Sequence, residues 1–227
     1  MPKINVTVEV SDTAYLRDPQ ETRLGKRILK YSILLLDETG FEAFTFKKLA
    51  VAMESTEASV YRYFENKYKL LSYLVAWYWD FMHFMILSKS ENISEPFDKL
   101  ESMIHTLIES QASKSVPDYI DQALLHNIVV ENATKVYHNK NVDSLNKVGF
   151  YANLKKLVTT FSLVISEVNP AFKYPRSLST TIIDQSLNAE YYLVHLPGLT
   201  DSPSSKEDEI RHKTSGMIIY MVKKMLQ

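Results

Sequence analysis

Hydroxyl, basic and aromatic side chains are grouped between Thr45 and Lys67, in the order Thr45-Phe-Lys-Lys-Leu-Ala-Val-Ala-Met-Glu-Ser-Thr-Glu-Ala-Ser-Val-Tyr-Arg-Tyr-Phe-Glu-Asn-Lys67. Such groups at such spacing can grip a phosphate backbone and read base edges. Thr45 can cap a first short helix whose apolar side is Phe46, Leu49, Ala50 and Met53. Thr56 can cap a second whose buried side is Val60 and Phe64. The second helix then exposes Glu57, Ala58, Ser59, Tyr61 and Arg62. Two short helices joined by a tight turn are the layout of a helix-turn-helix. In its docking geometry the start of the second helix meets bases in the major groove, while flanking hydroxyls and cations hold phosphates. Thr45, Tyr61 and Lys67 suit the phosphate role, and Lys48 and Thr56 complete the candidate set.

Other chemistries find little apparatus. The chain has no cysteine, which excludes disulfides, thiolate metal sites and cysteine nucleophiles. Its six histidines are scattered, with no pair at i,i+4 and no His-Glu-x-x-His, so no metal site is expected. Phosphate loops, dinucleotide fingerprints and nucleophile elbows are likewise missing, so neither an enzyme nor a bound cofactor is expected. The formal net charge is −1. Between Glu21 and Lys69 nine basic residues face seven acidic ones, and from Leu71 onward fifteen face seventeen. DNA affinity would therefore depend on a few placed contacts and on dimerisation rather than on a broad positive field.

The stretch from about Glu21 to Leu74 closely resembles the N-terminal domain of the TetR family of bacterial transcriptional repressors. The resemblance rests on Ile28-Leu29, on Gly40-Phe41 before Phe44-Thr45, on Leu49-Ala50, and on Val60-Tyr-x-Tyr-Phe-x-Asn-Lys-x-x-Leu70. At the helix-helix turn the family commonly has Gly-Val-Ser and then a small or basic residue; this chain has Glu54-Ser55-Thr56 and then Glu57. The resemblance implies an all-α fold of about nine helices. It also implies operator DNA as a partner, a small-molecule effector bound after the DNA head, and a homodimer built on the last two helices. On that basis Trp77, Phe81, His105, His126, Tyr151 and Phe161 are the candidate effector residues; taken singly, the aromatics read rather as plain core and the polar groups as lying on solvated helix faces. Met and aromatic content favours an apolar or amphipathic effector. The alternative is a helical ligand-binding protein that has lost specific DNA recognition, motivated by Glu54 and Glu57.

The elements that must position these residues are well marked. Asp18 as cap, Pro19 at the first helical position and Gly40 as stop announce a first long helix with Leu24, Ile28, Tyr31, Leu35 and Leu36 on its apolar side. A fourth helix is expected from the cap Asn66 to about Leu87. Further helical patterns cover about 95–113, 118–136, 143–168, 177–196 and 205–226, separated by turn and cap residues. In the last two, Ile182, Ile183, Leu187, Tyr191 and Val194 form one apolar stripe, and Ile210, Met217, Ile218, Met221 and Met225 another. These are the expected dimer surfaces. The alternation of Ile4, Val6, Val8 and Val10 with polar residues is a strand pattern, whose arm would be disordered, lie along the body or pair with its symmetry mate. The expected organisation is an arm at 1–17, a helix-turn-helix domain at 18–66 and a ligand-binding and dimerisation domain at 67–227. With 45% hydrophobic residues, no apolar run long enough to span a bilayer and no signal-peptide pattern at the N-terminus, the expected location is the cytoplasm.

Overall fold

The computed structural model describes residues 8–109, 117–138, 140, 142–201 and 206–227. Ten α-helices are found among them: α1 (Arg23–Ala43), α2 (Phe46–Ala52), α3 (Glu57–Tyr61), α4 (Lys67–Ser90), α5 (Pro96–Glu109), α6 (Gln122–Tyr137), α7 (Val142–Lys147), α8 (Ala152–Val168), α9 (Pro175–His195) and α10 (Glu207–Leu226). The count exceeds the sequence expectation because the pattern at 143–168 is interrupted. Gly149 takes φ +80°, a conformation that ends α7 and lets α8 begin afresh.

The helices sort into two compact units, residues 1–81 with 112–154 and residues 82–111 with 155–227. In the first unit α2 packs on α1 and α3, and α6 packs on α1. The start of α1 differs from expectation. Asp18 does cap a turn, accepting from the Gln20 amide at 2.8 Å, but that turn is a 3-10 turn over Pro19–Glu21. Thr22 is extended and becomes the true cap of α1, accepting from the Gly25 amide at 2.9 Å. The 3-10 turn then folds back so closely that a Cβ on Gly25 would lie 2.3 Å from the Pro19 carbonyl oxygen. The buried stripe of α1 is rotated accordingly. Ile28, Leu29, Ile33 and Leu36 are buried, whereas Leu24, Tyr31 and Leu35 are only half-buried. Gly40 ends the regular helix as expected, at φ +71°.

Helix α4 is buried on every side from Tyr73 to Trp79, so its surroundings rather than an amphipathic pattern hold it in place. By length and composition alone it could cross a membrane, but Asp80 interrupts its apolar run and 67% of its most apolar stretch is buried inside the protein. The strand-like arm resolves into one of its three alternatives at Val8–Val10: it lies along the body. Val8 and Val10 are buried and Glu9 is exposed. The side chains of Gln20, Asp80 and Asn153 take the place of a partner strand. Gln20 Nε2 donates to the Val8 carbonyl at 2.7 Å, the Glu9 amide donates to Asp80 at 2.9 Å, and Asn153 donates to the Glu9 carbonyl at 2.7 Å. Ile4 and Val6 lie outside the described residues.

In the second unit α5, α9 and α10 pack pairwise. Their shared core holds Leu100, Ile104, Ile182, Ile183, Ile210 and Ile218. The two expected dimer stripes are therefore each split. Ile182, Ile183, Leu187, Ile210 and Ile218 are buried within the chain, while Tyr191, Val194, Met217, Met221 and Met225 remain 41–54% exposed. Thr214 and Ser215, unremarked in sequence, complete the inward face of α10 at its i,i+4 spacing.

Candidate nucleic-acid interface

The head is assembled around a Schellman-type end to α2. The Ser55 amide donates to the Ala50 carbonyl at 2.9 Å and the Glu54 amide to the Val51 carbonyl at 3.0 Å. This geometry requires a left-handed residue at Glu54, whose φ is +51°. Arg27 of α1 donates to the Met53 carbonyl and fixes the turn from behind. A non-glycine residue in this conformation costs about 1–2 kcal/mol. Glu54→Gly is therefore expected to raise stability by about 0.5–1 kcal/mol once the greater freedom of glycine in the unfolded chain is deducted. Thermal unfolding checks this, and a lower melting temperature would contradict it.

From this turn α3 presents Thr56, Glu57, Ala58, Tyr61 and Arg62 to solvent, with Val60, Tyr63 and Phe64 buried beneath. The Tyr61 ring packs edge-on against Phe46 at 5.0 Å and stays 47% exposed. Thr45 caps α2 as expected, accepting from the Lys48 amide at 3.2 Å. Two assignments differ. Thr56 occupies the cap position without making the cap bond; its hydroxyl meets the Ser59 hydroxyl at 2.8 Å. Ser59 is buried rather than exposed, held between Thr56 and the Arg62 guanidinium at 3.3 Å. It can therefore orient Arg62 but does not itself face outward.

The two lysines also have work inside the head. Lys48 Nζ donates to the Ala43 carbonyl at 2.8 Å. Lys67 Nζ lies 2.9, 3.2 and 3.3 Å from the carbonyl oxygens of Phe41, Glu42 and Phe44, and 4.6 Å from the centre of the Phe41 ring. These carbonyls are left without helical partners where α1 ends, and a cation there is favoured by the helix dipole. An ammonium has three donors, and all three of Lys67's are engaged. Lys67→Ala should lower stability by about 1–2 kcal/mol. It should leave the slope of DNA affinity against salt unchanged, whereas loss of a phosphate contact would reduce it by about one. A slope reduced by one with no loss of melting temperature would restore the phosphate role. Lys47, which sequence reasoning passed over, is exposed beside Thr45.

Residues 28–74 match the family model described as bacterial regulatory proteins of the tetR family. These residues carry the family's N-terminal domain, about a fifth of the chain. Similar folds recur among solved structures. AibR, in complex with isovaleryl coenzyme A and operator DNA, is 17% identical with a TM-score of 0.59, covering 84% of this chain and 95% of its own. A tetR-family regulatory protein from Rhodococcus is 13% identical with a TM-score of 0.66, covering 88% and 97%. The ketosteroid transcriptional regulator of Mycobacterium tuberculosis is 13% identical with a TM-score of 0.59, covering 88% and 94%. At these identities the likeness is one of fold. No curated protein matches the sequence significantly.

The candidate effector residues fall in different units. Trp77, Phe81, His126 and Tyr151 belong to the first, His105 and Phe161 to the second. Trp77 stacks on Phe81 at 5.3 Å and donates from Nε1 to Gln20 at 3.3 Å. His126 is buried, with Nδ1 3.0 Å from the Tyr78 hydroxyl, and burial pushes its pKa down to about 4, which keeps the ring neutral. Tyr151 donates to the Val136 carbonyl at 2.9 Å beside a crevice of about 10 Å³, room for no more than a water. Phe161 is fully buried, and His105 lines a polar crevice of about 270 Å³ with Glu109, Arg211 and His212.

Proposed function

We propose that this TetR-family chain is a homodimeric transcriptional repressor that binds palindromic operator DNA through residues 45–67 and releases it when a small apolar or amphipathic effector binds within residues 67–227. The observation that carries the reading is the head itself: a family-matched helix-turn-helix whose second helix holds Glu57, Ala58, Tyr61 and Arg62 on its exposed side. Thr45, Thr56, Tyr61 and Lys47 are proposed as backbone contacts, and Glu57, Ala58 and Arg62 as base contacts. Lys48 and Lys67 support the head's frame, and Ser59 steers Arg62. Two heads need a rigid two-fold frame to read a palindrome, and the exposed residues of α9 and α10 are proposed to supply it. An effector acts by binding the DNA-incompetent state better than the competent one, lowering operator affinity by that difference. The fold neighbours with isovaleryl coenzyme A and ketosteroids in their names support the effector class. The proposed location is the cytoplasm, and catalysis forms no part of the reading.

A second reading is favoured by one observation: Glu54 and Glu57 both stand exposed at the approach to the groove, where phosphates repel them. On that reading the head is retained for shape and only the ligand-binding function survives. Selection of bound sequences from random duplex DNA by the purified protein separates the two. Recovery of a palindrome is expected, and enrichment of no sequence would establish the second reading.

A further inference from the structure

Helices α4, α6 and α7 of the first unit border a cleft of about 420 Å³, within the range of small-molecule sites. One wall is made by the end of α7. There the Phe150 amide donates to the Leu145 carbonyl at 3.1 Å and the Gly149 amide to the Asn146 carbonyl at 3.2 Å. This is a Schellman end whose left-handed residue is Gly149, and its accompanying apolar pair, Leu145 and Phe150, faces the cleft. Val136 of α6 continues that wall. Ser72, Val136 and Phe150 also line the crevice beside Tyr151, which has room for no more than a water, so the cleft has a closed floor.

The rest of the lining is basic. Lys69 and Lys135 contribute to it, and no carboxylate does. Lys69 Nζ donates to the Thr13 carbonyl at 2.6 Å and has no ion pair among the described residues, which leaves two of its three donors for a ligand. Lys135 Nζ donates to Asn132 Oδ1 at 3.0 Å and lies 3.5 Å from a carboxylate oxygen of Glu42, whose side chain is 78% exposed. An ion pair this exposed is weak, so an anion in the cleft can compete for Lys135.

We infer that this cleft binds an amphipathic carboxylate, its head drawn to Lys69 and Lys135 in place of Glu42 and its apolar chain laid against Val136, Leu145 and Phe150. The inference deepens the effector reading and rests on it for its regulatory meaning. Lys135 and Lys67 flank the same Phe41 ring, at 5.5 and 4.6 Å, so drawing Lys135 away loosens a contact at the end of α1. The binding itself is measured without DNA, and its failure would leave the DNA-binding reading standing.

The test is calorimetric titration of the full-length protein with octanoate, octanol, octylamine and acetate, below micelle-forming concentrations. Octanoate is expected to bind saturably, about fivefold to tenfold more tightly than octanol, with octylamine weaker still and acetate, which has no chain to bury, undetectable. Lys69→Gln and Lys135→Gln should each weaken octanoate about threefold and leave octanol unchanged. Glu42→Gln should tighten octanoate about twofold to fivefold with octanol unchanged, a gain that a purely structural role for the pair with Lys135 would not produce. Leu145→Glu, which sets a carboxylate on the cleft wall, should abolish octanoate binding. Octanol or octylamine bound as tightly as octanoate, losses at the two lysines shared equally by octanol, or octanoate binding that survives Leu145→Glu would each overturn the site. An octanoate affinity unchanged by Glu42→Gln would overturn the competition for Lys135.

Discussion

Met221→Asp combined with Met225→Asp is expected to yield a folded monomer, and Ile218→Asp an unfolded second unit. The three residues lie within two turns of α10, yet Met221 and Met225 are 42% and 54% exposed while Ile218 is 2% exposed in the core shared with α5 and α9. A carboxylate at Ile218 would be buried without a partner, at a cost of several kcal/mol that a domain of ordinary stability of about 5–15 kcal/mol tolerates poorly. At Met221 and Met225 the carboxylates would be solvated in the monomer and buried only on association, so the penalty falls on the dimer. Operator affinity should fall on the order of 10²–10⁴ with loss of the second head, while binding by each single head persists. Sedimentation reports the assembly and circular dichroism the fold. A double variant that remained dimeric would remove α10 from the interface. Loss of helicity in that variant would show that these methionines serve the core.

The difference between Ile218 and its neighbours marks the boundary of what sequence periodicity can tell. An apolar stripe shows that a helix has a face to bury, but not whether its own chain or another copy covers it, and α9 and α10 carry both faces in one broad stripe. The head was far more legible. Its caps, its turn and the burial of Val60 and Phe64 follow from local rules, since short helices joined by a tight turn leave few ways to hide their apolar residues. Three of its details were not. A lysine reads as a free cation until the end of α1 is seen to offer carbonyls to Lys67 and Lys48. Ser59 reads as exposed until the hydroxyl of Thr56 is found to turn toward it. Glu54 has no sequence mark of its left-handed backbone, because the signal at such positions is glycine and here glycine is missing. The arm shows the converse. Its alternation was correct at Val8–Val10, but the side chains that clamp it come from positions as distant as Gln20, Asp80 and Asn153, which no local pattern connects.

Glu57 is where the choice between the two functional readings becomes measurable. It is the first residue of α3, exposed, with Thr56 before it making no side-chain cap bond. In the docked head it would approach a duplex carrying one negative charge per roughly 1.7 Å of its axis. Replacing it by alanine removes that repulsion, so affinity for non-specific DNA should rise whatever else the residue does. If the carboxylate accepts a hydrogen bond from a cytosine amino group, Glu57→Ala should also lose about 1–3 kcal/mol of discrimination at one base pair in each half-site. If it serves only the dipole at the start of the helix, affinity should rise for every duplex alike, and stability should fall by about 0.3–1 kcal/mol. The regulator reading predicts the first pattern: a selected operator whose single-base variants become less distinguishable at one symmetric pair of positions. Titration of wild type and Glu57→Ala against that operator and its variants decides the matter, and a wild-type protein that binds operator and random duplex equally would end the regulator reading.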